Sequence, residues 1–262
     1  MNYLGFVWRQ WTIKPRPLPP TLSLQGKTAL ITGANSGLGL EAARALVSRR
    51  LSRLIIAVRD VSKGEAAKTE ILSSPDASPT CKIDVWPLDH ESYESIAQFG
   101  KKVDELDRLD YVLLNAGVKI MKYEKTLQGH ETNVQINHIG TSAVSLAVLP
   151  ALRRTARNLN TPTRLTIVSS EGHFWIPFKE RNAENILARM DDPKTFEQGG
   201  NCLVDALVQH EGSHGAYLSD QRETRPSPFV VSDEGEKAQK KIWEETIALL
   251  EKEATGVNVS LA

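Results

Sequence analysis

From Lys27 onward, short apolar runs alternate with amphipathic segments in a fixed order. "TALIT", "RLIIAV", "CKIDVWPLD", "LDYVLLNAG" and "RLTIVSS" read as strands. Between them, "LGLEAARALVSR", "KGEAAKTEIL", "SYESIAQFGKKVDEL" and "VQINHIGTSAVSLAVLPALRRT" carry apolar residues at helical spacing. Strands that alternate with helices at this spacing imply right-handed crossovers and a parallel, doubly wound α/β sheet of the Rossmann type. "LIIAV" and "YVLLN" are apolar throughout, as strands covered on both faces must be. A chain of 262 residues is long enough to bury such a core as a single domain. Residues 1–24 read as a leader and 25–262 as the doubly wound domain.

Composition narrows the function classes. Lys plus Arg and Asp plus Glu number 32 each, which gives no support for nucleic acid or an anionic membrane as partner. The only cysteines, Cys81 and Cys202, do not make a disulfide framework, so a reducing, cytoplasmic setting is expected. Asn258-Val259-Ser260 matches a glycosylation acceptor, a triplet common by chance. No apolar run is long enough to span a bilayer. The start, "MNYLGFVWRQWTIKPRPLPP", is aromatic and mildly basic, compatible with a weak interfacial anchor. The prolines from Pro15 to Pro20 stop any helix early and favour a leader lying across the domain surface.

"TGANSGLG", Thr32–Gly39, sits between the first strand and the first helix. Gly33 permits a tight turn, Gly37 lets backbone approach a pyrophosphate, and Gly39 allows close helix packing. Ser36 and Leu38 complete the turn, and the following helix offers free N–H groups to phosphate. No Gly-Lys-Ser/Thr comes after it, which excludes a Walker-type loop. The second strand ends in "AVRD". A basic residue there, Arg59, with Lys63 nearby, favours the 2′-phosphate of NADP over the free ribose of NAD. A solvated surface arginine would read the same way. No metal-binding cluster is evident.

These residues resemble the short-chain dehydrogenase/reductase family. Gly33, Gly37 and Gly39 have that family's Gly-x-x-x-Gly-x-Gly spacing, and "LNAG" (Asn115, Gly117) resembles its second hallmark. "PLD" resembles the segment carrying its adenine-contacting acid, here Asp89. "INHIG" resembles the helix segment with its catalytic Asn, here Asn137. "IVSSEGHFW" resembles the strand end with its catalytic Ser, here Ser170 with Ser169 as the alternative. The leader "WRQWTIKPRPLP" and the tail "SHGAYLSDQ" through "PSPFVVSDEGEKAQKKIWEE" are similar to the retinol-dehydrogenase-like reductases of fungal secondary metabolism. The resemblance covers about residues 8–197 and 200–252. It implies NADP(H) as cofactor and a small-molecule carbonyl or alcohol, bulky and lipophilic, as substrate. A flavodoxin-like or nucleotide-sugar protein is disfavoured by "LNAG" together with "VSS".

The same resemblance calls for a Tyr-x-x-x-Lys helix after the serine, whose Tyr moves the proton while Lys lowers its pKa. The five tyrosines are Tyr3, Tyr93, Tyr111, Tyr123 and Tyr217, and the residues four positions on are Val7, Ala97, Asn115, Leu127 and Gln221. None is Lys. "TFEQGGNCLV", 195–204, reads as a junction near 197–200 where one strand, the Tyr/Lys helix and the loop over the nicotinamide are missing. Two readings are open: an NADP(H)-dependent oxidoreductase, or a catalytically impaired remnant that binds NADP(H) or only folds. The lost helix commonly forms the family's dimer interface, so the usual dimer is in doubt. The segment after Ser232, with Glu234 and Glu236 in its first turn, reads as a capped amphipathic helix of structural role.

Overall fold

The computed structural model describes residues 12, 17–169, 178–193, 218–219, 222–223 and 225–260. Its centre is a five-stranded parallel sheet of order β3-β2-β1-β4-β5. The strands are β1 (Thr28–Thr32), β2 (Arg53–Val58), β3 (Lys82–Pro87), β4 (Tyr111–Leu114) and β5 (Arg164–Ile167). The connecting helices are α1 (Gly37–Ser48), α2 (Val61–Leu72) and α3 (Tyr93–Asp104). The fourth crossover is α4 (Thr132–Val134), a π-helical stretch Gln135–Gly140 and α5 (Thr141–Leu159). A short α6 (Ile186–Met190) and the C-terminal α7 (Asp233–Glu253) pack beside it, and two-residue strands β6 (Leu218–Ser219) and β7 (Arg222–Glu223) pair antiparallel. This is the Rossmann-type single domain expected.

The period-2 alternation of the strands splits the core in two. Ala29, Ile31, Leu54 and Ile56 face Ala43 and Val47 of α1 and Ala67 and Ile71 of α2. Leu30, Ile55, Val112 and Leu114 face Ile96 and Phe99 of α3, Val144 and Leu146 of α5, and Leu250 of α7. Leu24, just ahead of β1, is buried in the first cluster. Burial of these all-apolar strands on both faces is what a parallel sheet requires.

Local chemistry sets the helix starts. Asp60 accepts from Lys63 N–H to begin α2, Ser92 from Ser95 N–H to begin α3, and Ser232 from Gly235 N–H to begin α7. The Asp60 cap starts α2 two residues before the segment the periodicity marks. The long helix read from Val134 is interrupted: Gln135–Gly140 winds as a π turn. At Gly140 a Cβ would overlap the His90 carbonyl oxygen, so this stretch passes closer to the β3–α3 loop than a side chain would permit. At the opposite, N-terminal end of β4, Asp110 is fully buried and bonded by Arg108, Lys27 and the Thr28 amide. Burial pushes its carboxyl up, but these partners outweigh it and hold the pKa below the usual range.

Candidate functional site

The C-terminal ends of the strands converge on one crevice. Gly33 follows β1, Arg59 follows β2, Leu88 and Asp89 follow β3, Asn115 to Gly117 follow β4, and Val168 and Ser169 follow β5. All of these, with Ser36, Leu38, Asn137 and His90, line a single cavity of about 520 Å³. It opens where the chain order reverses between β1 and β4, the position at which doubly wound sheets hold ligands.

The glycine turn combines left-handed backbone, open space and close packing. Gly33 and Gly37 take φ of +68° and +57°, values that L side chains rarely adopt. A Cβ on Gly37 would meet nothing within 4 Å, so its backbone is open to a ligand. A Cβ on Gly39 would lie 2.5 Å from Asn115 Nδ2 and 2.7 Å from the Gly33 carbonyl oxygen. The three glycines therefore do three different things. Ser36 flanks α1 but makes no capping bond with its side chain, leaving the first N–H groups of that helix without a side-chain acceptor.

Asn115 works behind this turn. Its amide donates to the carbonyls of Thr32 (3.0 Å) and Gly33 (3.3 Å), and the fully buried Thr32 hydroxyl accepts from the N–H groups of Asn115 (3.0 Å) and Ala116 (2.9 Å). The β1 and β4 ends are thus stitched together, and Asn115 positions the turn. Thr32 is a site residue that the motif contains but that spacing alone does not single out. Asn137 acts in the same way across the crevice. Its amide donates to the Val118 carbonyl and its Oδ1 accepts from the Val118 N–H, both at 2.8 Å. Gly117 gives it room, since a Cβ there would lie 3.1 Å from Oδ1.

The β3 side carries the charges. Asp89 accepts from the Glu91 N–H (3.0 Å), and its own N–H donates to Ser95 Oγ (3.0 Å). Arg59 is largely exposed, and its Nη1 donates to Glu91 Oε1 at 3.1 Å. Neither Glu91 nor His90 stands out in the sequence. His90 is buried without a partner for Nε2, and desolvation pushes its pKa down to about 4. Ser169 lines the crevice, whereas Ser170 and the 195–204 junction lie outside the described residues. Among the described residues no group of His, Cys, Asp or Glu is arranged to hold a metal ion, and no helix is long and apolar enough to cross a membrane.

A parallel sheet with a glycine turn at its switch point and a basic strand end beside it is the Rossmann-type arrangement. The short chain dehydrogenase family model matches residues 27–164, which takes in β1 through the start of β5. The chain belongs to the short-chain dehydrogenase/reductase family. It is 55% identical to the short chain dehydrogenase sol3 of Alternaria solani over 193 residues, 74% of this chain and 67% of that protein. It is 30% identical to the short chain dehydrogenase/reductase dmxR8 of a Cryptosporiopsis species over 324 aligned positions, 97% of this chain and 99% of that one. Those positions outnumber the 262 residues of the chain, so the alignment bridges internal positions that this chain lacks. Among solved structures, an uncharacterised Mycobacterium paratuberculosis protein superposes with a TM-score of 0.52 and 28% identity, over 72% of this chain and 62% of that one.

Proposed function

We propose that the crevice binds NADP(H) and serves the interconversion of a carbonyl and an alcohol on a bulky, lipophilic metabolite. The observation that carries this reading is that Arg59 and, from the glycine turn, Gly33, Asn35, Ser36 and Leu38 line one cavity. The turn and the α1 N-terminus would hold the pyrophosphate, Asp89 the adenine, and Arg59 the 2′-phosphate. When bound, the reduced nicotinamide supplies a hydride to the carbonyl carbon. The developing alkoxide then needs a hydrogen-bond donor and a proton. Ser170, or Ser169 beside it, would donate to that oxygen. The Asn137 side chain, fixed by one donor and one acceptor bond to Val118, would support the proton relay. The balanced charge and the buried free thiol of Cys81 support a cytoplasmic setting.

A second reading is favoured by one specific feature: no tyrosine in the chain is followed four residues on by lysine. The adenine and pyrophosphate half of the site has its residues, whereas the proton donor and the nicotinamide-ribose anchor do not. On this reading the chain binds NADP(H) with impaired turnover. Fluorescence titration with NADPH and NADH, on wild type and Arg59→Asp, tests the shared cofactor proposal. A charge-assisted contact of about 1.5–3 kcal/mol predicts at least about ten-fold tighter NADPH binding in the wild type. Equal affinities would remove Arg59 from the site.

A further inference from the structure

Arg59 presents five donors, and Glu91 takes one of them. Glu91 does not line the cavity; its carboxylate meets the guanidinium from the β3–α3 loop. Its place there is built. The Leu88 N–H is tied to the Val58 carbonyl at 2.9 Å, which joins the ends of β2 and β3. Asp89 Oδ1 then takes the Glu91 N–H, the Ser92 N–H bonds the Asp89 carbonyl at 3.2 Å, and Ser92 caps α3. The turn thus holds a carboxylate 3.1 Å from the one arginine at the strand end.

The other charges around this corner are accounted for. Asp60 is engaged by Ser62 Oγ (2.6 Å) and the Lys63 N–H (3.2 Å), with Lys63 Nζ at 3.9 Å. Asp89 is turned to the loop backbone through Oδ1. Lys63 lines the cavity together with Arg59. Glu91 is therefore the acid that bears directly on the guanidinium.

Two effects of Glu91 oppose each other. It preorders a long, exposed side chain, and it places a negative charge a few ångströms from where a phosphate on Arg59 would sit. Exposed ion pairs add little order, whereas a phosphate carries close to two charges, so repulsion is the larger effect. We propose that Glu91 is a specificity-determining residue: docked on Arg59, it lowers the preference of the pocket for a 2′-phosphorylated adenine nucleotide over the unphosphorylated one. This rests on the reading that Arg59 receives the 2′-phosphate. It would make the site more permissive toward NAD(H) than Arg59 alone implies.

The test uses adenosine 2′,5′-bisphosphate and 5′-AMP, which probe the adenine half without the nicotinamide. Calorimetric titration compares wild type, Glu91→Gln, Arg59→Gln and Asp60→Asn, the last keeping a capping side chain. Glu91→Gln should tighten the bisphosphate by about three- to ten-fold at low salt and leave 5′-AMP within about two-fold, with the gain shrinking as salt screens the charge. Asp60→Asn should change the preference less. Unchanged or weakened bisphosphate binding by Glu91→Gln, or a larger gain from Asp60→Asn, would overturn the role given to Glu91. If Arg59→Gln leaves the bisphosphate preference intact, the 2′-phosphate reading itself fails and this inference falls with it.

Discussion

Strands β1 and β2 are buried along almost their whole length, whereas β5 is only half-buried and Ile167 at its end keeps 45% of its surface in solvent. The same contrast runs through the crevice above them. On the β1–β4 side, Thr32, Asn115 and Asn137 between them bond the backbone of Thr32, Gly33, Asn115, Ala116 and Val118. On the β5 side, the Val168 N–H is tied to the Leu114 carbonyl and Ser169 lines the crevice. A parallel strand is normally flanked on both edges and covered on both faces. Among the described residues β5 has β4 alone as neighbour. The residues proposed to hold the adenine and pyrophosphate all follow β1, β2, β3 or β4. The alignment with dmxR8 runs over more positions than this chain has residues, so internal positions of that relative are missing here.

The strongest way to break this comparison is to repair the weak side. Genomic DNA between the codons for Glu197 and Gly200 is expected to encode, in frame, a Tyr-x-x-x-Lys segment. A chain with that block restored should oxidise NADPH on hydrophobic ketones and aldehydes at least about a hundred-fold faster than the chain as it stands, since acid–base groups contribute about 10²- to 10⁴-fold. Ser170→Ala should cost much in the restored form and little in the short one, because members of one catalytic unit are not additive. Comparable steady-state turnover by the two forms would mean that another residue moves the proton.

The β1–β4 side can be damaged at a chosen point. Gly39→Val would drive a side chain into Asn115 and the Gly33 carbonyl. Overpacking of this kind costs about 1–3 kcal/mol, visible in urea melts, and nucleotide binding should be lost with it. Unaltered stability would show that α1 can move away from the turn. A milder cut is Asn137→Ala, which strips both partners from Val118 and should cost about 1–3 kcal/mol. Asn137→Asp, which keeps the acceptor but sets a carboxylate oxygen against the Val118 carbonyl, should be no more stable than Asn137→Ala on the same melts.

The smallest effects are in pH. His90 is held neutral by burial, with a pKa of about 4 against the usual 6.5. The unfolded chain binds the extra proton first, so its contribution is present above about pH 6.5 and is lost as pH falls toward 4. His130 runs the other way. It bridges Asp191 (2.7 Å) and Glu253 (3.2 Å), and these carboxylates, Asp191 foremost, raise its pKa against the opposing cost of burial. Its contribution is full below about 6.5 and fades as pH rises through the raised value. Stability of His130→Gln relative to wild type should therefore recover with rising pH. An unchanging difference across that range would mean the bridge is held by packing and not by charge.

Much of this was legible in the chain itself. The alternation of apolar runs with helical periodicity determined the parallel sheet, because only strands buried on both faces can be apolar throughout. The glycine spacing placed the turn, because no residue with a Cβ fits Gly39 and few accept the backbone of Gly33 or Gly37. The missing Tyr-x-x-x-Lys was countable without coordinates. What only the tertiary structure decided are the pairings between segments far apart in sequence. Thr32 on Asn115, Asn137 on Val118, Glu91 on Arg59 and His130 between Asp191 and Glu253 leave no periodic trace, because each depends on where two loops or helix ends come to rest. The π turn at Gln135–Gly140 is of the same kind: the close approach of Gly140 to the His90 backbone is a distance, and a one-dimensional pattern carries periods but not distances.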